Sequence, residues 1–295
     1  MAEAPESAVA PPRPRPFKQV DVFTDRPFFG NPVAVVLDAE GLDTDAMQRI
    51  ARWTNLSETT FVLPADASEA DYRVRIFTPA AELPFAGHPS LGTAHALLEA
   101  GRLPPGAAVV RQQCGIGIVK LRVDRAARTI ALALPAPRSR ALDAAAGARI
   151  AEALGAAALA GTVRRIDVGP IWLVAPLADA DTVLGLRPDM QAIARLSEAH
   201  QATGVTVYGP AAGGEQARYE LRSFAPLHAV PEDPVCGSGN GTVAAWLREE
   251  GRQGDYLARQ GRAIGRDGYV SVAFDGDDIL VGGACVTCVD GSLRA

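Results

Sequence analysis

Two stretches of the chain, 150 positions apart, read as copies of each other. Residues 82–102, ELPFAGHPSLGTAHALLEAGR, align without a gap on residues 232–252, EDPVCGSGNGTVAAWLREEGR. Eight of 21 positions are identical: Glu82/Glu232, Pro84/Pro234, Gly87/Gly237, Ala94/Ala244, Leu97/Leu247, Glu99/Glu249, Gly101/Gly251 and Arg102/Arg252. Ordinary composition gives roughly two. Just upstream, Arg75–Pro79 (RIFTP) echoes Arg222–Pro226 (RSFAP). The period is too long for a solenoid, so the chain reads as one α/β unit written twice.

Apolar periodicity extends the echo. In the first half FKQVDVFT, NPVAVVL, ETTFVL and YRVRIF read as strands, with a helix over DTDAMQRIARWTN capped by Asp43 or Thr44. A glycine-rich turn and a helix follow, then strands AAVVRQQ, GIVKLRVD and TIALAL. The second half keeps the order: VRRIDVG, IWLVAPL, helix PDMQAIARLSEAH, GVTVYG, ARYELRSF, turn, helix, YVSVAF and DILVGGACVTCV. The helices after the turns, LGTAHALL and GTVAAWL, are apolar on nearly all faces and should be buried. The predicted fold is α/β (α+β): two pseudo-symmetric domains, each a curled mixed sheet around a central helix. The expected boundaries are a disordered tail over 1–16, a first domain over 17–136 and a second over 137–283. The last strand, about 284–295, should complete the first domain. The Pro-rich LPAPRSRALD near 134–143 is the expected linker.

A net charge of −5 gives no draw toward nucleic acid or an anionic membrane. No apolar run approaches the ~20 residues of a membrane span. The first residues lack a secretory apolar core, and four cysteines make no disulfide framework, so a reducing, cytoplasmic setting is expected. Cys285–Cys288, CVTC, resembles a metal or redox motif, yet it lies in a predicted strand, where i and i+3 face opposite ways. It also lacks a second pair, and the acids and histidines elsewhere lack ligand spacing, so no metal is expected.

The glycines of the turns point to anion binding. A helix start carries unpaired N–H groups and about half a positive charge. Glycine lets a ligand approach that backbone closely. Two such starts facing one another would hold a small carboxylate. No Gly-Lys-Ser/Thr follows, and GSGNGT lacks the dinucleotide spacing, so neither a phosphate loop nor a nucleotide site is expected.

Several segments together resemble the PhzF-like phenazine-biosynthesis family of the diaminopimelate epimerase superfamily. They are GNPVAVVL, SETTFVL, PAAELPFAGHPSLGTAHAL, RSFAPLHAVPEDPVCGSGNGTVAAWL, RQGRAIGRDG and VGGACVTCVDG, in the family's order from about Phe17 onward. The resemblance implies proton shifts on small carboxylates without a cofactor, in a cleft between two similar domains, and a homodimer. Carried over by position, it implies Glu58 as acid/base, with Gly87, His88, Asp233, Gly237 and Ser238 at the site.

Chemistry should sit where the repeat is broken. Glu58 falls near Gly204 or Val205 of the second copy, Asp233 opposes Leu83, and His88 opposes Ser238. Related epimerases use two facing cysteines at the helix starts; here those positions hold Ala86 and Cys236. A paired-thiol racemase is therefore not expected. Cys236 reads as pocket lining, although a helix start would lower its pKa. Asn31 is expected to shape the cleft, or only its turn. The expected activity is an isomerase that moves a proton between carbons of a small carboxylate, using Glu58. Two alternatives remain: an epimerase with Asp233 or Cys236 as second base, and a non-catalytic binder of small acids.

Overall fold

The computed structural model describes residues 12–228 and 230–295. The first half runs β1 (Pro14–Val22), β2 (Asn31–Val36), α1 (Thr44–Thr54), β3 (Glu58–Leu63), β4 (Tyr72–Phe77), β5 (Glu82–Leu83), α2 (Gly87–Glu99), β6 (Val109–Cys114), β7 (Gly117–Asp124) and β8 (Thr129–Ala133). Next come β9 (Arg138–Ala141), α3 (Ala144–Leu154), β10 (Arg164–Asp167), β11 (Ile171–Pro176), α4 (Ala180–Gly185) and α5 (Met190–Ala199). The chain continues with β12 (Gly204–Pro210), β13 (Tyr219–Ala225), β14 (Val230–Asp233), α6 (Gly237–Glu249), β15 (Tyr256–Gln260), β16 (Gly268–Asp275) and β17 (Asp278–Arg294).

The duplication holds strand by strand. In the first half β1–β2 is antiparallel, β2–β3 parallel, β3–β4 and β4–β5 antiparallel, β4–β6 parallel, and β6–β7 and β7–β8 antiparallel. The strands β10 to β17 repeat every one of these directions. Each half then borrows a strand to close its ring. β17 leaves β16, runs along β8 and ends along β1. β9, the continuation of β8, pairs with β10. At the crossing Ala131 lies opposite Gly282. Both are 14 positions past the glycine that opens the preceding strand, Gly117 or Gly268, so the pseudo-two-fold axis passes between them. The approach is so close that a Cβ on Gly282 would lie 2.4 Å from the Ile130 carbonyl oxygen.

Inside each ring sits one helix, as its all-round apolar surface requires. α2 packs on β1, β2, β3, β8 and β17, and α6 packs on β10, β11, β16 and β17; the two helices also touch. Both end at a left-handed glycine, Gly101 (φ +67°) and Gly251 (φ +78°). The next N–H, of Arg102 or Arg252, returns to the carbonyl of Leu97 or Leu247 at 2.9 Å, which satisfies a helix-end acceptor. The repeated Arg and Glu also have a shared task. Arg75 donates twice to Glu82, and Arg222 twice to Glu232, at 2.7–2.9 Å. Each fork ties the strand before the turn to the turn itself.

Two expectations need correction. Of the tail expected over 1–16, residues 1–11 lie outside the described residues, but Pro14–Pro16 belong to β1. Buried Arg15 fixes them, donating to the carbonyls of Asp38, Glu40 and Ala295. Prolines are tolerated there because they stand at the strand's start. The expected linker contains β9, which is paired with β10. CVTC lies on β17, where the register slips so that Cys288 is the bulged, unopposed residue. Among the described residues no three metal-ligating side chains gather there or elsewhere.

Candidate active site

The residues that break the repeat come together. Glu58 opens β3 opposite Val33 of β2. His88 stands in the first turn of α2, and its Nε2 lies 3.4 Å from Glu58 Oε2. The contact does not form a hydrogen bond, and both atoms are buried without a partner. From β2, Asn31 Nδ2 donates to Asp233 Oδ1 at 3.0 Å and to the Val235 carbonyl at 3.0 Å. Its own Oδ1 is likewise buried and unpartnered. Native proteins rarely leave such atoms unsatisfied, so each is a candidate contact for a bound molecule.

The helix starts supply donors. Among the described residues, the N–H groups of Gly87 and His88 have no recorded acceptor, nor do those of Gly237 and Ser238. On α2 no side chain caps the helix, and Pro89 has no N–H to offer. On α6 the cap is Cys236, whose Sγ accepts from Gly239 N at 3.2 Å. Each tip thus keeps two free donors.

The turn before α6 is pinned from below. Gln260 Oε1 accepts from Cys236 N (3.1 Å) and from Asn240 Nδ2 (3.0 Å), while Gln260 Nε2 donates to the Asp233 carbonyl (2.9 Å). Asp233 Oδ1 also takes the Val235 N–H at 3.1 Å. Burial pushes the Asp233 carboxyl up to about 6, a rise that His88 opposes and Glu58 reinforces. Burial also pushes the Cys236 thiol well above its ordinary range, and Asp233 adds to the push. The pKa lowering expected from a helix start is thus reversed: desolvation and a neighbouring carboxyl outweigh the tip.

Two contributors escaped the sequence reading. Gln260 lies within RQGRAIGRDG, a segment that the sequence marks but assigns no task. Trp172 donates from Nε1 to Ser238 Oγ at 3.0 Å. Threading the repeat through the β10–β12 strands, beyond the glycine turns, is the signal that finds it.

Two strand rings, each around a buried helix, with unpartnered acid and imidazole groups at the start of one of them, define a fold of the epimerase and isomerase type. The chain belongs to the phenazine biosynthesis-like protein family (PhzC-PhzF), whose family model matches residues 20–291, and it is an isomerase. It is 39% identical over 290 residues to the Schizosaccharomyces pombe protein named antisense-enhancing sequence 1, covering 93% of this chain and 97% of that one. It is 35% identical over 244 residues to a trans-2,3-dihydro-3-hydroxyanthranilate isomerase of Pseudomonas fluorescens, covering 79% of this chain and 80% of that one. A crystal structure of the Bacillus anthracis PhzF-family protein superimposes with a TM-score of 0.85 at 26% identity, covering 95% of this chain and 99% of that one.

Proposed function

We propose that the chain shifts a proton between two carbons of a small unsaturated carboxylate, without a cofactor, in the space between its halves. The N–H groups of Gly87, His88, Gly237 and Ser238 receive the substrate carboxylate. Glu58 takes a proton from a carbon activated by an adjacent double bond. The electron pair moves along the conjugated system, and the Glu58 carboxylic acid returns the proton to a second carbon on the same face. Negative charge that develops in between is met by the two helix tips. Three buried atoms without partners carry this reading: Glu58 Oε2 and His88 Nε2, 3.4 Å apart, and Asn31 Oδ1. The Glu58 and His88 side chains are only 16% and 10% exposed, and in so poorly solvated a setting the helix tips act more strongly on the developing charge.

A second reading has its own support. Asp233 senses Glu58 and has a carboxyl raised to about 6, so it suits a second base on the opposite face of an epimerase. Cys236 does not suit that role, because its thiol stays protonated.

NMR in D2O with a panel of small acids, including trans-2,3-dihydro-3-hydroxyanthranilate, tests both readings. A proton shift incorporates deuterium at the receiving carbon of the product. Epimerisation incorporates it at the starting carbon, with loss of optical rotation. Glu58→Gln should lose at least about a hundredfold in rate, the ordinary contribution of a positioned acid/base. Retained exchange in that variant would remove Glu58 from the mechanism. Cys236→Ser still exchanges deuterium, whereas a cysteine base would not survive the change.

A further inference from the structure

The repeat gives Glu58 a structural counterpart, and strand register identifies it. Arg75 and Arg222 are equivalent, and they stand opposite Phe61 and Val207. Counting back three residues, Glu58 on β3 corresponds to Gly204 on β12. Across the parallel pair, Val33 faces Glu58 and Trp172 faces Gly204. One half therefore carries a small residue beside an acid, and the other a large indole beside a glycine. The helix partners differ in the same sense, His88 in one half and Ser238 in the other. The contacts correspond too: His88 to Glu58 at 3.4 Å, Ser238 to Trp172 at 3.0 Å.

Gly204 has no room to regain a side chain. A Cβ there would lie 2.0 Å from the Phe224 carbonyl oxygen and 2.9 Å from Trp172 Cζ3. The indole, 2% exposed, lies against the position that corresponds to the acid of the other half. Its N–H can only donate, so Ser238 Oγ is the acceptor in that bond. The hydroxyl proton of Ser238 must then point elsewhere. Ser238 Oγ also lies 3.5 Å from Cys236 Sγ, a weak partner.

Building on the reading above, we propose that Trp172 is a positioning residue that makes the site one-sided. Its ring takes the symmetry-related place of the acid/base, and its N–H turns the Ser238 hydroxyl into a donor for the bound carboxylate. The duplicated scaffold thus has an acid on one face and, on the other, an aromatic wall with an oriented hydroxyl.

The test uses the full chain and anthranilate, a planar aromatic carboxylate, as the probe. In 15N-labelled protein the indole resonance of Trp172 should shift as anthranilate is added, and should not shift in Ser238→Ala. Trp172→Phe keeps an aromatic ring and loses the donor. It should weaken anthranilate binding roughly five- to tenfold, the loss of about one hydrogen bond. Ser238→Ala should lose about as much, and the double variant no more than either single one. With trans-2,3-dihydro-3-hydroxyanthranilate turned over, Trp172→Phe should raise KM by more than it lowers kcat. The proposal is overturned by an unmoved Trp172 resonance in saturated wild type, by undiminished binding in Trp172→Phe, by losses that multiply in the double variant, or by no anthranilate binding at all. The wild-type titration stands even where the substituted protein folds poorly. Failure of the Glu58 reading shows separately: Glu58→Gln should still bind anthranilate and shift Trp172, whatever its turnover.

Discussion

At Asp233, one burial sets both chemistry and stability. The folded carboxyl titrates near 6, above the ordinary Asp value of 3.8, so between those values the folded chain holds a proton that the unfolded chain has lost. Its contribution to stability is complete below about pH 4 and is lost as pH rises through 6, a change of at most roughly 3 kcal/mol. Asp233→Asn escapes this cost and keeps an oxygen for Asn31 Nδ2 and Val235 N. Urea melts should find the variant more stable than wild type by roughly 1–3 kcal/mol at pH 8, converging below pH 4. An unchanged difference across that range would mean that Asp233 is not desolvated. Glu58, His88 and the paired glycines could be picked out from the sequence because they sit on a visible repeat or break it. Trp172 and Gln260 could not, since their meaning depends on which strand lies beside which. The direction for Cys236 was misjudged for a related reason. A helix start is written in the sequence, but the depth at which it is buried is not.

Among the elements, the crossing of β8 and β17 is a tight joint. Gly282→Ala should destabilise the fold by about 1–3 kcal/mol, as overpacking against backbone does. Gly291, on the same strand, would present a new methyl to open space, so Gly291→Ala is the control and should leave the denaturation midpoint unchanged. Equal effects of the two would show that the crossing tolerates a side chain. Strands such as β3, β4 and β7 could be delimited to the residue from sequence, because alternation and flanking turns agree there. β9 was hidden in a proline-rich stretch, because its strand character comes from pairing with β10 and not from its own composition. α3 and α4 have no counterpart in the first half, so the repeat gave no cue to them.

The whole molecule is held by exchange. Removing residues 285–295 takes away the strand that flanks β1 and the Ala295 carbonyl that Arg15 grips. Such a truncation should abolish cooperative unfolding followed by far-UV circular dichroism, although the removed residues do not include the proposed acid/base. A sharp, two-state melt in the truncated chain would show that the first ring closes unaided. The duplication could be seen in the sequence at this scale, whereas the reciprocal loan of strands could not, since nothing in one half's composition records which partner it lacks.

The loan also bears on how the protein is made. A ribosome finishes β1 more than 250 residues before it reaches the segment that must lie beside it. Domains ordinarily fold in the order they emerge. Here the half that is translated first is the last to be sealed, and until then its β1 flank stays open to chaperones and to strands of neighbouring nascent chains.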